Sequence, residues 1–222
     1  VNTNLIFLKM ISNKLSLYFL LFSAILFFGE LIKRKTNLSA ELTRKSAHFL
    51  SAIVASSFVF FLTINEVYLI SIAFTILLTL SKQIKFLKSI HSVSRSTIGE
   101  IAFPSGILLV SIWFHPESNN AITLSRVPFI YGLLVTGISD VAANYFGTKI
   151  ISKPFPLSKD KTVAGFLAFT IFSIPIGIAI GLPIIYALII ALILATVEAL
   201  IPFGFDNFFL PISAAFLVGI FF

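Results

Sequence analysis

The sequence holds no cysteine, one methionine, one tryptophan and only 9 acidic residues in 222. Without cysteine there is no disulfide, no thiolate nucleophile and no zinc–thiolate centre. Charge is scarce altogether: charged residues make up 11% of the chain, where an ordinary soluble domain carries about 25%. That scarcity excludes a water-soluble globule. Disorder is excluded too, because it needs low hydrophobicity, and here 58% of residues are hydrophobic with a mean hydropathy of +1.04. No GxxxxGK[ST] segment occurs, so the chain has no P-loop. The alternating ten-residue segments of a transmembrane β-barrel are also missing.

What remains is apolar run after apolar run, with 26 Phe among them. The rare charges punctuate these runs. Lys14 and Lys33 bracket the first, Lys45 and Asn65 the second, and Glu66 and Lys82 the third. Arg95 and His115 bracket a fourth that contains Glu100, and Arg126 and Lys149 a fifth that contains Asp140. From Lys161 to Glu198 there is no charge. As one helix that stretch would be about 54 Å long at 1.5 Å per residue, against a hydrocarbon core of about 30 Å. Gly181-Leu182-Pro183 is the natural break between two spans. A last run follows Asp206. The expectation is an all-α, polytopic integral membrane bundle of eight helices, with seven as the alternative. It forms one membrane domain over 1–222, with an N-terminal span at 15–32 and a catalytic core over 40–222. The first run resembles a signal peptide, but Glu30, Lys33, Arg34 and Lys35 follow it in place of a small-residue cleavage site, so it reads as a retained span.

The balance of 16 basic to 9 acidic residues gives a net charge of +7. In a membrane protein such an excess marks cytoplasmic loops rather than a nucleic-acid partner. The segments 33–45, 82–95 and 149–161 carry 13 of the 16 basic residues. They alternate with loops that carry only Arg126, so they are expected on the cytoplasmic side.

This topology sorts the polar residues of the spans. His48, Glu100, Asp140, Asn144, Glu198, Asp206 and Asn207 all fall near the end where the basic loops lie. Ionisable groups in spans are costly, about 2.5–3.5 kcal/mol for a lone carboxylate on insertion scales, and they mark functional sites. Glu41, Lys45 and His48 share a helix face, with Arg44 one turn from His48. Asp140, Ala143, Asn144 and Gly147 share another, and Gly147 permits close approach of a backbone or a ligand. Arginine, lysine and carboxylates together at a membrane surface suit a polyphosphate and a divalent cation such as Mg²⁺. Lys159 and Lys161 are candidate phosphate ligands, although basic loops have a topogenic role in any case, and Glu198 could pair structurally with a lysine. Gly177 and Gly181 have a helix-packing spacing.

Five segments resemble one family. RKSAHFLSAI (44–53) resembles the RKxxH segment of the CTP-dependent lipid kinases, the group of dolichol kinase, phytol kinase and the CTP-dependent diacylglycerol kinases. GEIAFPSGILL (99–109) resembles its GExxFPxG segment, and SDVAANYFG (139–147) its GDxxAxxxG segment. KTVAGFLAF (161–169) and VEALIPFGFDNFFLP (197–211) resemble the two that close it. Ser139 stands where the family has Gly, and Ala164 where it has Glu. The resemblance implies that Arg44, Lys45, Asp140 and Gly147 belong to a CTP site, with Glu100, Glu198, Asp206 and Asn207 as companions. The expected activity is transfer of the γ-phosphoryl group of CTP to the hydroxyl of a lipid alcohol. Asp140 would bind Mg²⁺ with Asp206 or Glu198, and Arg44, Lys45 and Lys159 or Lys161 would clamp phosphates. His48 or a carboxylate would orient the lipid hydroxyl. Two other readings stay open: a CTP:phosphatidate cytidylyltransferase-type enzyme, and a non-enzymatic transporter or scaffold. A transporter favours polar groups at the bilayer midplane.

Overall fold

Apolar runs that cannot face water must cover one another or face lipid, and a helix satisfies its own backbone in either place. The computed structural model describes residues 13–93, 97–156, 158 and 160–222. Among them the chain is helical, with no strand and one isolated bridge between Pro154 and Thr162. The helices are α1 (Asn13–Lys35), α2 (Ala40–Ser56), the single turn α3 (Phe58–Phe61), α4 (Ile64–Gln83), the short α5 (Lys88–His91) and α6 (Gly99–Phe114). They continue with α7 (Val127–Lys149), α8 (Val163–Ala179), α9 (Ile184–Leu200) and α10 (Asp206–Gly219).

Local chemistry sets their ends. Ser39 caps α2 by accepting from the Leu42 N–H at 3.2 Å. Thr63 and Glu66 form a reciprocal capping box at the start of α4. Thr162 caps α8 through the Gly165 N–H. Between α8 and α9 the chain turns at Gly181, whose φ of +99° only glycine adopts without strain. The stretch expected as one span over 45–65 is instead broken at Ser57, where α2 gives way to α3.

Three helices, α1, α4 and α7, are long and apolar enough to cross a membrane. The apolar helices α6, α8, α9 and α10 have 14 to 17 residues, about 21–26 Å of rise. The helical class is thus met, and membrane length is met by three helices. Many large apolar side chains face outward, among them Leu20, Phe27, Ile76, Ile171, Ile185 and Ile193. A continuous apolar exterior of this kind suits lipid.

Among the described residues the interior holds a small cluster of Leu78, Leu87 and Ile90 and two large cores. One gathers Phe22, Phe58, Ile70, Phe74, Phe103 and Ile107 from α1 to α6. The other gathers Tyr131, Phe169, Leu194, Leu210 and Ala214 from α7 to α10. Contacts between distant segments define the two ends of the bundle. At one end Thr43 donates to the Ser89 carbonyl at 2.6 Å and Ile98 N–H to the Phe203 carbonyl at 2.9 Å. At the other, Arg126 donates to the Val59 carbonyl at 3.0 Å and Thr123 to the Phe222 carbonyl at 3.0 Å. Near this second end Trp113 of α6 lies against Phe216 of α10, ring centroids 5.9 Å apart.

Candidate active site

The first end of the bundle collects most of the buried charge among the described residues. Asp140, Glu198 and Asp206 come from α7, α9 and α10 and are 1%, 3% and 6% exposed. One carboxylate oxygen from each lies within 4.8 Å of the others. Two lysines reach in. Lys45 of α2 pairs with Asp140 Oδ2. Lys161, from the loop before α8, pairs with Glu198 and donates to Asp206 Oδ2 at 3.1 Å. Burial by itself would lower the Lys161 pKa, but the charges of Glu198, Asp206 and Asp140 outweigh it and hold the ammonium above the usual lysine range.

With all three ionised, the carboxylates outnumber the two ammoniums by one negative charge in a buried place. Such charge is retained only where a cation or hydrogen bonds answer it. Oxygens around Mg²⁺ at 2.0–2.1 Å stand about 3–4 Å apart, so small side-chain rotations would bring these three onto one ion. The residues fit a hard divalent cation.

Asp140 owes its position to an irregularity in α7. Over Val135–Ser139 the helix widens into a π-turn. Widened turns of this kind occur frequently at functional sites. His48 Nε2 donates to the Thr136 carbonyl of this turn at 3.2 Å and lies 4.0 Å from Asp140 Oδ2. With Nε2–H committed there, the neutral imidazole has Nδ1 as its acceptor.

Around this centre the other expected residues take varied places. Arg44 donates through Nη2 to Glu41 Oε1 at 2.7 Å, and Asn144 Nδ2 donates to the same oxygen at 3.1 Å. Glu41 therefore ties α2 to α7. Gly147 serves close approach of a backbone: a Cβ there would stand 3.2 Å from Gly165 Cα and 2.9 Å from Thr162 Oγ1. Asn207 Nδ2 donates to the Gly99 carbonyl at 3.1 Å and so fixes α10 to α6. Glu100 Oε1 accepts from Lys82 Nζ at 2.8 Å and lies 3.3 Å from His91 Nδ1. Lys159 lies outside the described residues. Ser139 accepts a hydrogen bond from the Ser173 hydroxyl at 2.9 Å, and the Ala164 N–H donates to Ser152 Oγ. Neither position adds charge to the cluster.

Sequence reasoning named Glu41 only as a neighbour on a helix face. Its three-residue spacing from Arg44 was the available signal for pairing. The Thr136 carbonyl, and Lys82 and His91 as partners of Glu100, were missed. No periodicity marks a π-turn, and nothing in the sequence around His91 points to Glu100.

A polar hollow with about 740 Å³ of empty volume adjoins the cluster. Lys161 and Asp206 line it, with Ser158, Asp160 and residues 201–204. Comparison of the chain with protein-family models, curated proteins and solved structures gives no match.

Proposed function

We propose that the chain is a membrane phosphotransferase that moves the γ-phosphoryl group of CTP to the hydroxyl of a lipid alcohol. In this reading eight helices cross the bilayer and the basic loops face the cytoplasm. The observation that carries it is the buried trio Asp140, Glu198 and Asp206, met by Lys45 and Lys161 at one end of the bundle. Phosphoryl transfer asks for little covalent help from a protein and depends on positioning and charge neutralisation. A ring of carboxylates with interleaved ammoniums supplies both. The choice of CTP as donor rests on the family resemblance alone.

The residues divide the work as follows. Asp140, Glu198 and Asp206 would hold Mg²⁺, which neutralises charge on the β- and γ-phosphates when bound. Lys45 and Lys161 turn from their carboxylates to phosphate oxygens. Arg44, already oriented by Glu41, stands next to Lys45 on α2. His48 accepts the proton of the lipid hydroxyl at Nδ1. The hydroxyl oxygen forms the new bond to the γ-phosphorus as the bond to the β-phosphate oxygen breaks, and CDP leaves.

The test uses membranes carrying the protein, γ-labelled CTP and a panel of lipid alcohols. Label is expected in a lipid phosphate, with CDP released. Asp140→Asn is expected to lower the rate by at least about 10²-fold while leaving membrane insertion intact. Release of pyrophosphate with formation of a CDP-lipid would replace the kinase by a cytidylyltransferase. Full activity in Asp140→Asn would remove the carboxylate trio from the chemistry.

A further inference from the structure

A second cavity lies on the other side of His48 from the carboxylates. It is a slot between α1, α2, α4 and α6, with about 650 Å³ of empty space that includes its open mouth. Phe22, Phe58, Ile70 and Ile107 line its depth. Arg44, His48 and Glu100 line the end nearest the charged cluster. From Gly99 to Ile107, and again from Leu78 to Ile70, the wall runs eight residues, about 12 Å along the helix axis. Apart from Ser51 and Ser71 the slot is apolar along its length, and it is charged at one end.

Two observations separate it from an ordinary gap between helices. Glu100 is 8% exposed and lines the slot, yet among the described residues its Oε2 has no hydrogen-bond partner. A buried carboxylate oxygen left without a donor is costly, so the site calls for a hydroxyl or N–H. The second observation is His48. Its ring stands edge-on to Phe103 in the slot wall at 4.3 Å, while its Nε2 turns to Thr136 and Asp140. One side chain thus joins the slot to the carboxylate cluster.

We propose that the slot seats one aliphatic chain of the acceptor lipid, tail toward Phe58 and hydroxyl at the Glu100–His48 end. The proposal rests on the phosphotransfer reading for the word acceptor. The seat itself needs only a long-chain alcohol. A chain lying there follows the bilayer normal, as lipid tails do, and brings its head group to the level of the cluster. A hydroxyl donating to Glu100 Oε2 satisfies the orphan oxygen and holds the alcohol beside His48.

The test is photolabelling of the full chain in lipid nanodiscs without nucleotide. The probe is a long-chain primary alcohol with a diazirine near the tail end. The control is an alkane with the same group. The alcohol is expected to label peptides from α2–α3 and α6 at the slot. Ile107→Trp, which fills the slot, is expected to weaken that labelling roughly tenfold, and Glu100→Gln to weaken it less. Ser51→Leu is a smaller obstruction should Ile107→Trp fail to fold, and Ile72→Trp on the outer face is expected to change nothing. Equal labelling of the slot by alkane and alcohol, or alcohol labelling indifferent to both obstructions, would overturn the seat. Slot labelling without CTP-dependent phosphorylation of any alcohol keeps the seat and discards the kinase. Phosphorylation with no slot labelling does the reverse.

Discussion

Asp140 and Lys45 are both buried, and each is the other's nearest opposite charge. Removing one member of such a pair leaves a charge in a medium that cannot solvate it, at a cost of about 3–5 kcal/mol. Lys45→Ala is therefore expected to lower the melting temperature sharply in chelator. Millimolar Mg²⁺ is expected to restore part of the loss, because a cation shared by Asp140, Glu198 and Asp206 replaces the missing ammonium. A melting temperature indifferent to Mg²⁺ would argue against a shared ion. Lys161 makes a different expectation. Its pKa is raised on folding, so the stability it contributes is complete below the ordinary lysine range and is lost only as pH climbs through the higher folded value. Between pH 7 and 9 the difference in melting temperature between the parent and Lys161→Met is expected to stay constant. A difference that shrinks across that interval would mean that the ammonium is already losing its proton there.

At this scale the legible residues were those out of place in an apolar run. Asp140 announces itself because a lone carboxylate in an apolar run is costly, whereas Glu198 also admits a structural pairing with a lysine, which Lys161 makes. Glu41 was not legible in the same way. An acidic residue in the first turn of a helix is ordinary, and its bond to Asn144 crosses 103 positions of sequence. The role of Gly147 is open in the sequence between close approach of a backbone and of a ligand, and its neighbours Gly165 and Thr162 decide for the backbone.

Among the elements, α7 and α8 depend on one narrow crossing. Gly147 and Gly165 face each other, and Thr162 bonds both, donating to the Gly147 carbonyl and accepting from the Gly165 N–H at 3.2 Å each. Gly147→Val forces the helices apart and drags Asp140 away from Lys161. Such overpacking costs about 1–3 kcal/mol. The expected result is a protein that still inserts in the membrane, melts lower and labels lipid poorly. Wild-type melting would show that the crossing has room to spare. Helix ends were readable where charge or Gly-Leu-Pro interrupts an apolar run, as at α1, α4 and the α8–α9 turn. The break at Ser57 and the π-turn of α7 were not. Neither has a proline or glycine pattern that demands it. The widened turn carries the Thr136 carbonyl that receives His48, which is a matter of tertiary contact.

For the whole molecule, most of the buried charge among the described residues lies at one end, and the proposed chemistry needs that end to face the cytoplasm. The absence of cysteine makes the topology directly measurable, since every introduced thiol is unique. Single cysteines at Thr36, Lys88 and Lys153 are expected to react with an impermeant maleimide only from the cytoplasmic side, and cysteines at Ser118 and Ile184 only from the opposite side. Labelling of both groups from one side would reduce the number of crossings and separate the basic loops from the site.

The far end of the bundle offers a practical consequence. The chain has a single tryptophan, Trp113, and it rests on Phe216 where α6 meets α10, away from the carboxylates. Its emission is an intrinsic optical gauge of whether those two helices are docked. A change in that signal on adding nucleotide alone would report motion transmitted through the bundle, because a nucleotide bound at the charged end does not reach the indole.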